Sequence, residues 1–171
     1  MPNRIIFLMN GWDSTAGGIQ TVNRELVSAI ATIRPDLKCT VIVPNAVQKE
    51  IDDAFSRGVE LIAGNREGDW SSPMLSLARE HAHAFDVVAV VGHSYFTGRE
   101  AIDLRNKLFQ NALSVQFIHM SPLHLEHIKE YKQDSYVLDR EKKVAIELEI
   151  ASVDVEIQHE VELFVDTDTT G

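Results

Sequence analysis

The sequence predicts an α/β domain with a doubly wound, mostly parallel Rossmann-like sheet and helices on both of its faces. Short apolar runs alternate along the chain with longer segments of helical period, which is the pattern of a βαβ series. Apolar residues predominate in the runs, and strands that are apolar on both faces belong in parallel sheets covered by helices on each side. Together these two observations favour a two-sided α/β sandwich.

Five apolar runs are the predicted strands. They are "RIIFLM" from Arg4, "KCTVIV" from Lys38, "VELI" from Val59, "DVVAVV" from Asp86 and "SVQFI" from Ser114. No internal repeat or low-complexity segment interrupts the series.

The segments between the strands predict helices. The first, "IQTVNRELVSAIATI", carries apolar residues at the spacing of an amphipathic helix, and this places six of them on one stripe. The six are Ile19, Val22, Leu26, Ala29, Ile30 and Ile33. "VQKEIDDAFSR", "SPMLSLAREHAHAF" and "GREAIDLRNKLFQNA" have the same period, with Ser71 or Ser72 as an N-cap before Pro73.

Composition narrows the possible functions. A chain of 171 residues suits one domain over residues 1–171. Its 26 acidic and 16 basic side chains give a formal charge of -10, which repels phosphate backbones, so no nucleic-acid partner is expected. The single cysteine, Cys39, lies in an apolar run and is interpreted as a small buried hydrophobe in a reducing compartment.

The chain shows no membrane signature. The N-terminal "MPNRIIFLMNGWD" has only a short apolar run and no small-residue cleavage site, and no later run approaches the length of a membrane span. We therefore expect a cytoplasmic protein without a membrane span.

Three loops follow predicted strands at the edge where α/β sheets bind ligands. They are "NGWDSTAGGIQT", "GHSYFTG" and "HMSPLHLEH". The first ends in Gly17 and Gly18 where a helix begins, and such glycines permit positive φ and let a ligand approach the helix N–H groups. A plain turn that needs flexible residues is the more common explanation of a Gly-Gly pair by itself. The spacing fits neither a P-loop nor G-x-G-x-x-G.

Several stretches resemble the N-terminal domain of the glycogen-synthase and sucrose-synthase-like retaining glycosyltransferases, which are family 4-like enzymes of the GT-B type. "GGIQTVNRELVSAIA" is similar to their glycine-rich loop and first helix, and "DVVAVVGHSYFTG" to their strand with a histidine-bearing loop. "VQFIHMSP" is similar to the next strand and turn, and "DREKKVAIELEIASVDV" to the helix before the last strand. The order and spacing of the stretches carry the resemblance.

The resemblance implies transfer of a sugar from a nucleotide-sugar donor to an acceptor hydroxyl with retention of configuration. It implies no cofactor other than the nucleotide sugar, which is the co-substrate of the full-length protein. The family's second Rossmann domain, which holds the donor and a glutamate pair, has no counterpart in this chain. We therefore expect an acceptor-side half that is inactive alone. The tail "VEIQHEVELFVDTDTTG" departs from the family pattern and predicts a half-exposed strand.

The expected substrate-binding residues of this half are Gly17, Gly18, His93, Ser94 and His119. His93 and His119 follow neighbouring predicted strands, so both could project into one crevice and hydrogen-bond sugar hydroxyls. In the resembling family, the histidine matched by His119 lies close to the reacting centre, which makes His119 the candidate catalytic residue. A structural histidine that caps a loop is the alternative for both.

Two further alternatives come from the residues. Ser94 in "GHSYFTG" resembles the serine of a hydrolase elbow, G-x-S-x-G, but Phe96 replaces the second glycine and the triad partners have no identifying context. His124 and His127 could share a helix face as zinc ligands, although the segment is not H-E-x-x-H. No metal site is therefore predicted.

A non-catalytic function is the alternative hypothesis from another functional class. The chain could be a glycosyltransferase-like sensor or recognition module of a larger multidomain protein. The sequence that follows Gly171 in the natural gene would separate the two hypotheses, since a second Rossmann half with paired glutamates fits an enzyme, whereas an ATPase or repeat module fits a sensor.

Overall fold

The computed structural model of the protein describes residues 3–13, 18–64, 86–118 and 142–150. The chain divides into two compact units, Met1–Ser121 and Pro122–Gly171. The first contains the sheet. The described residues of the second form a helix over 142–150, in which Ile150 is buried. The predicted helix over 72–85 and the predicted strand after Asp154 lie outside the described residues, and a single domain over 1–171 stays a prediction.

All five predicted strands are present, and their ends agree with the prediction to within two residues. The described elements of the first unit are β1 (Asn3–Leu8), α1 (Gly18–Ile33), β2 (Leu37–Val43), α2 (Gln48–Ser56), β3 (Val59–Ala63), β4 (Val87–His93), α3 (Ser94–Leu108) and β5 (Leu113–Phe117).

The five strands form one sheet in the order β3-β2-β1-β4-β5, and every pairing in it is parallel. The chain adds β2 and β3 on one side of β1, and it then crosses back to add β4 and β5 on the other side. The direction of winding therefore reverses between β1 and β4. In an open α/β sheet, a reversal of this kind leaves a crevice beyond the carboxyl ends of the two strands.

Helices cover both faces of the sheet, which confirms the doubly wound α/β prediction. On one face, Phe7 of β1 and Val41 of β2 pack with Val27 of α1 and Ala54 of α2. On the opposite face, Ile6 and Leu8 of β1 and Val90 of β4 pack with Ala101 and Leu104 of α3. Successive β1 side chains alternate between the two cores because strand side chains point to opposite faces.

A buried arginine links three strands of the sheet. Arg4 of β1 is 1% exposed, and its Nη1 donates hydrogen bonds to Thr40 Oγ1 of β2 and Glu60 Oε2 of β3, each at 2.5 Å. Thr40 Oγ1 also donates to Glu60 Oε2 at 2.9 Å. The buried positive charge is thus paired with a carboxylate, as burial of a charge requires.

The buried face of α1 differs from the predicted stripe. Val22 and Ile33 are 55% and 74% exposed and Ala29 is exposed, so the prediction was wrong for these three. The buried residues of α1 are instead Asn23, Val27 and Ser28. The buried face of α1 is therefore displaced by about one residue from the apolar stripe that the sequence predicted, and it includes Asn23.

The predicted loop "GHSYFTG" is absent, because β4 passes directly into α3. His93 is the last residue of β4, and Ser94 is the first residue of α3. The predicted helix began at Gly98, so α3 starts four residues earlier than expected. Gly92 and Gly98 suggested a turn, but both lie inside regular elements where they allow close packing.

Candidate functional site

A pocket lies at the point where the direction of winding reverses, between the ends of β1 and β4. It is an open depression with about 260 Å³ of space, part of which is open solvent, so it could seat one part of a ligand. We call it the switch pocket. Its lining comprises Met9 and Asn10 after β1; Ile19, Gln20 and Asn23 from α1; and His93, Phe96 and Thr97 from the β4–α3 junction.

The start of α3 is fixed to both central strands by one hydroxyl. Thr97 Oγ1 accepts a hydrogen bond from the His93 backbone N–H at 3.0 Å and donates one to the Leu8 carbonyl of β1 at 2.9 Å. Thr97 is 1% exposed. This bridge places the first turn of α3 beside the end of β1 and holds His93 at the pocket.

His93 is buried between the pocket and β5. It is 1% exposed, and its ring stacks on that of Phe117, with the centroids 5.5 Å apart and the planes 16° from parallel. The two residues are also register partners in the sheet. The stacking fixes the orientation of the imidazole, so its position in the pocket wall is defined by the strand rather than by a loop.

Ser94 adopts a left-handed backbone conformation with φ of 45°. Such a conformation is uncommon for a residue other than glycine, and it produces the sharp strand-to-helix turn that a nucleophile elbow also uses. The side chain, however, is 5% exposed, and its Oγ lies 3.4 Å from the Phe117 carbonyl, to which it donates a long hydrogen bond. Ser94 therefore directs its hydroxyl toward the end of β5.

Gly92 is required by packing at this junction. A Cβ at Gly92 would lie 2.8 Å from Ala101 Cβ, from Gly98 Cα and from Gln116 Oε1. Ala101 and Gly98 belong to α3, so a side chain at position 92 would push the helix away from the strand. Gly98 thus has the close-packing role that the second glycine of an elbow has, but it lies two residues farther along the chain.

The loop after β1 is attached to α2. The Trp12 indole is 1% exposed, and its Nε1–H donates to Asp53 Oδ2 at 2.8 Å. The Asp13 backbone N–H donates to Glu50 Oε1 at 3.0 Å. The Trp12 hydrogen bond lowers the pKa of Asp53 below its usual 3.8, and Arg57, whose Nε lies 3.1 Å from the same oxygen, lowers it further. These contacts hold the loop on the side of α2.

Gly18, the first residue of α1, leaves open space at the edge of the site. Among the described glycines, positive φ occurs at Gly58 and not at Gly18, so the expected conformational reason for a glycine does not apply to Gly18. A Cβ at Gly18 would meet nothing within 4 Å. Neither the backbone conformation nor packing against the described residues therefore requires a glycine at this position. Gly17 lies outside the described residues.

The described residues of the switch pocket combine apolar side chains with uncharged polar groups. The described residues that line it include amides, a hydroxyl, an imidazole and an exposed phenyl ring, and none of them is Lys, Arg, Asp or Glu. The first turns of α1 and α3 both contribute to the lining, and neither contains an acidic residue. Helix N-termini present N–H donors, so the pocket offers hydrogen bonds without a full charge.

Of the residues that the sequence proposed for the site, His93 lies in the pocket lining, whereas the other polar residues of the described lining were not predicted. These are Asn10, Gln20, Asn23 and Thr97. Asn23 lies four residues after Ile19 and four before Val27, so it is a polar interruption of an apolar stripe. That interruption was the available signal. Thr97 was hidden because its segment was expected to be a loop.

Other predicted site residues cannot be placed. His119, His124 and His127 lie outside the described residues, so a shared crevice for His93 and His119 stays a prediction. β5 does end at Phe117, beside the end of β4. Within the described ranges, no group of three or more His, Cys, Asp or Glu side chains is arranged to hold a metal ion. None of the helices in those ranges combines the length and apolarity that crossing a membrane requires.

Comparison with known proteins identifies the family. The family described as "Family 4 Glycosyltransferase in conflict systems" matches residues 6–154, which is most of the chain. No match was found among curated proteins or among solved structures. The family match and the parallel sheet confirm the resemblance noted in the sequence. The chain belongs to the family 4 glycosyltransferases of conflict systems.

Proposed function

We propose that this chain is the acceptor-side half of a retaining glycosyltransferase and that the switch pocket binds the acceptor. The reaction would transfer a sugar from a nucleotide-sugar donor to an acceptor hydroxyl with retention of configuration. The donor would be held mainly by a second Rossmann domain, so the isolated chain would be inactive. Family membership supports the reaction class, and the pocket supports the choice of ligand.

The observation that carries the proposal is a pocket at the reversal of the sheet whose described lining combines apolar side chains with uncharged polar groups. Sugars present hydroxyl groups that both donate and accept hydrogen bonds, and amides, hydroxyls and imidazoles bind them without a charge. Phe96 is 37% exposed and lines the same pocket, so its ring could pack against the apolar C–H groups of a sugar. Lys or Arg would strengthen the binding of a diphosphate, and the described lining contains neither.

Each element of the site would have a distinct task in such a transfer. His93, held by its stack on Phe117, would orient an acceptor hydroxyl by a hydrogen bond from the pocket wall. The first turns of α1 and α3 would offer N–H donors to acceptor oxygens. His119, two residues beyond the end of β5, would be the residue nearest the reacting centre. The open space at Gly18 would admit the donor when the second domain closes over the pocket.

The proposal can be tested with the isotopically labelled chain and simple sugars. We expect D-glucose, D-galactose, D-mannose or N-acetylglucosamine to shift the amide resonances of Gln20, Asn23 and Thr97 saturably. Affinity should be in the millimolar range, about -4 kcal/mol, because only half of an enzyme site is present. Amides of β3 and α2 should stay unchanged.

Two phenylalanine variants give a matched control for this titration. Phe96→Ala should weaken sugar binding by about tenfold, because the pocket loses its aromatic surface. Phe55→Ala should leave binding unchanged, since Phe55 is 83% exposed on α2 and is not in the pocket lining. Shifts that arise only outside the pocket, or equal effects of the two variants, would refute acceptor binding at this site.

A second candidate function is favoured by the family itself, because its members are described as belonging to conflict systems. In this candidate, the chain is a non-catalytic, glycosyltransferase-like recognition module of a larger protein, and the same pocket senses a sugar without transferring it. The sequence encoded after Gly171 separates the candidates. A second Rossmann domain with a glutamate pair would support the transferase, and an ATPase or repeat module would support the sensor.

A further inference from the structure

Asn23 is a polar residue in a position that folding alone would give to an apolar one. It lies on the buried face of α1, is 2% exposed, and is followed one helical turn later by Val27, which is fully buried. Its Oδ1 is buried and has no hydrogen-bond partner among the residues that the structure describes. Its side chain lines the switch pocket together with His93 and Thr97.

A buried acceptor without a partner lowers stability, because the oxygen has lost its hydrogen bonds to water and gained none in return. Leucine has nearly the same size and a higher helix propensity, so it would avoid this cost. No described residue satisfies this acceptor, so its hydrogen-bond donor would come from a ligand or a water molecule in the pocket.

The donor must also suit the rest of the pocket. The first turns of α1 and α3 present N–H groups and contain no acidic residue, so they favour an oxygen that accepts. A hydroxyl meets both demands, since it donates to Asn23 Oδ1 and accepts from a helix N–H. An ionised diphosphate offers acceptor oxygens only, and these would be repelled by the Asn23 carbonyl oxygen.

We infer that Asn23 is the specificity-determining residue of the switch pocket. Its Oδ1 accepts a hydrogen bond from a hydroxyl of the ligand, and this selects a neutral, hydroxyl-bearing ligand over an anion. That the ligand is a sugar rests on the proposed function. The role of Asn23 as an acceptor kept unsatisfied for a ligand rests on the burial and bonding of the residue alone.

The first test measures stability without any ligand. Asn23→Leu in the full chain should raise the melting temperature, because it removes the unsatisfied acceptor. Asn106→Leu is the matched control, since Asn106 is an exposed residue within α3 whose Oδ1 already accepts a hydrogen bond from Arg105 Nη1. Both variants gain helix propensity, so Asn23→Leu should exceed the control by about 3 °C. A melting temperature below that of the wild type would overturn the inference.

The second test measures binding with D-glucose as the neutral probe and inorganic pyrophosphate as the anionic probe. Asn23→Leu should weaken glucose binding by about tenfold, whereas Asn23→Asp, which keeps an acceptor oxygen, should stay within about threefold of the wild type. Pyrophosphate should bind the wild type more weakly than glucose does, and Asn23→Leu should not weaken it further. Tighter pyrophosphate binding by the wild type, or glucose binding unaffected by Asn23→Leu, would overturn the inference.

The two tests separate this inference from the proposed function. If no monosaccharide binds the wild type but Asn23→Leu is more stable than Asn106→Leu, the acceptor-sugar proposal fails. The assignment of Asn23 is then supported, with a neutral donor of another class as its ligand. If sugars bind in the pocket but Asn23→Leu is destabilised, the proposed function stands and the inference fails.

Discussion

The two connections that form the switch pocket each join a central strand to a helix, but they are built differently. Between β4 and α3 there is no loop: Ser94 takes a left-handed conformation, Gly92 packs tightly against α3, and Thr97 bonds both strands. Between β1 and α1 the connection is longer in sequence; of its described residues Trp12 is bonded to α2, and Gly18 at the start of α1 faces open space. Packing therefore requires Gly92 beside the first connection, and it places no such requirement on Gly18 after the second.

Glycine is therefore required by packing at one connection and not at the other. Gly92 is needed because no Cβ fits, whereas at Gly18 a Cβ would fit without contact. A sequence shows only that both are glycines after or near a strand. The comparison would fail if substitutions at the two connections had the same effect on stability.

Gly92→Ala should have the largest effect on stability. The new Cβ would lie 2.8 Å from two atoms of α3, which cannot move as a flexible side chain can, so the helix must shift. We expect the free energy of unfolding to fall by about 1–3 kcal/mol, as for other overpacked cores. Urea-induced unfolding followed by circular dichroism measures it. A stability equal to that of the wild type would mean that α3 is not packed closely on β4.

Asp53→Asn should have a smaller and pH-dependent effect on the other connection. The pKa of Asp53 is lowered in the folded protein by Trp12 and then by Arg57, so its ionised form stabilises the fold above pH 3.8. That contribution is lost as the pH falls through the lowered pKa. Because the carboxylate is 38% exposed and screened by solvent, we expect a loss of only about 0.5–1 kcal/mol at pH 7.

Urea unfolding at pH 7 and at several values below pH 3.8 checks this sign. The difference between Asp53→Asn and the wild type should shrink in acid. Asp52→Asn is the control, since Asp52 is the adjacent residue of α2 and accepts a hydrogen bond from Gln48 rather than Trp12. A difference that grows in acid would contradict the assignment.

Gly18→Ala should leave stability nearly unchanged. The added methyl group meets nothing within 4 Å, and the backbone at Gly18 has no positive φ to strain. We expect a change in unfolding free energy within about 0.5 kcal/mol. The unfolding experiment used for Gly92→Ala provides the comparison. A loss as large as that of Gly92→Ala would show that this glycine is also required by packing.

Ser94 should show no nucleophilic reactivity. Its hydroxyl is buried and directed to the Phe117 carbonyl, although its backbone has the conformation of an elbow serine. Incubation of the chain with a fluorophosphonate probe, followed by intact-mass measurement, should detect no adduct. Stoichiometric labelling that disappears in Ser94→Ala would revive the serine-hydrolase alternative and would make the β4–α3 connection catalytic.

The strands were predictable because each is a compact apolar run, and a two-sided parallel sheet requires such runs. The early start of α3 was not predictable, since Gly92, Ser94 and Gly98 have the composition of a loop. Their close packing depends on how α3 and β5 lie against β4. Likewise, apolar content selected Val22 and Ile33 for the buried face of α1, whereas the fold exposes both and buries Asn23. His93 could be found from its place after a strand, but the role of Asn23 needed the register of α1 against the sheet.

Nucleotide-sugar binding tests most directly the central claim that this chain is an acceptor-side half. The described residues that line the pocket include no Lys or Arg, and the net charge of -10 opposes a diphosphate. Calorimetric titration of the full chain with UDP-glucose and GDP-mannose should therefore give dissociation constants no tighter than about 1 mM, and Gly18→Val should not change them. Micromolar binding that is lost in Gly18→Val would contradict the account, because it would show a complete nucleotide site within these 171 residues.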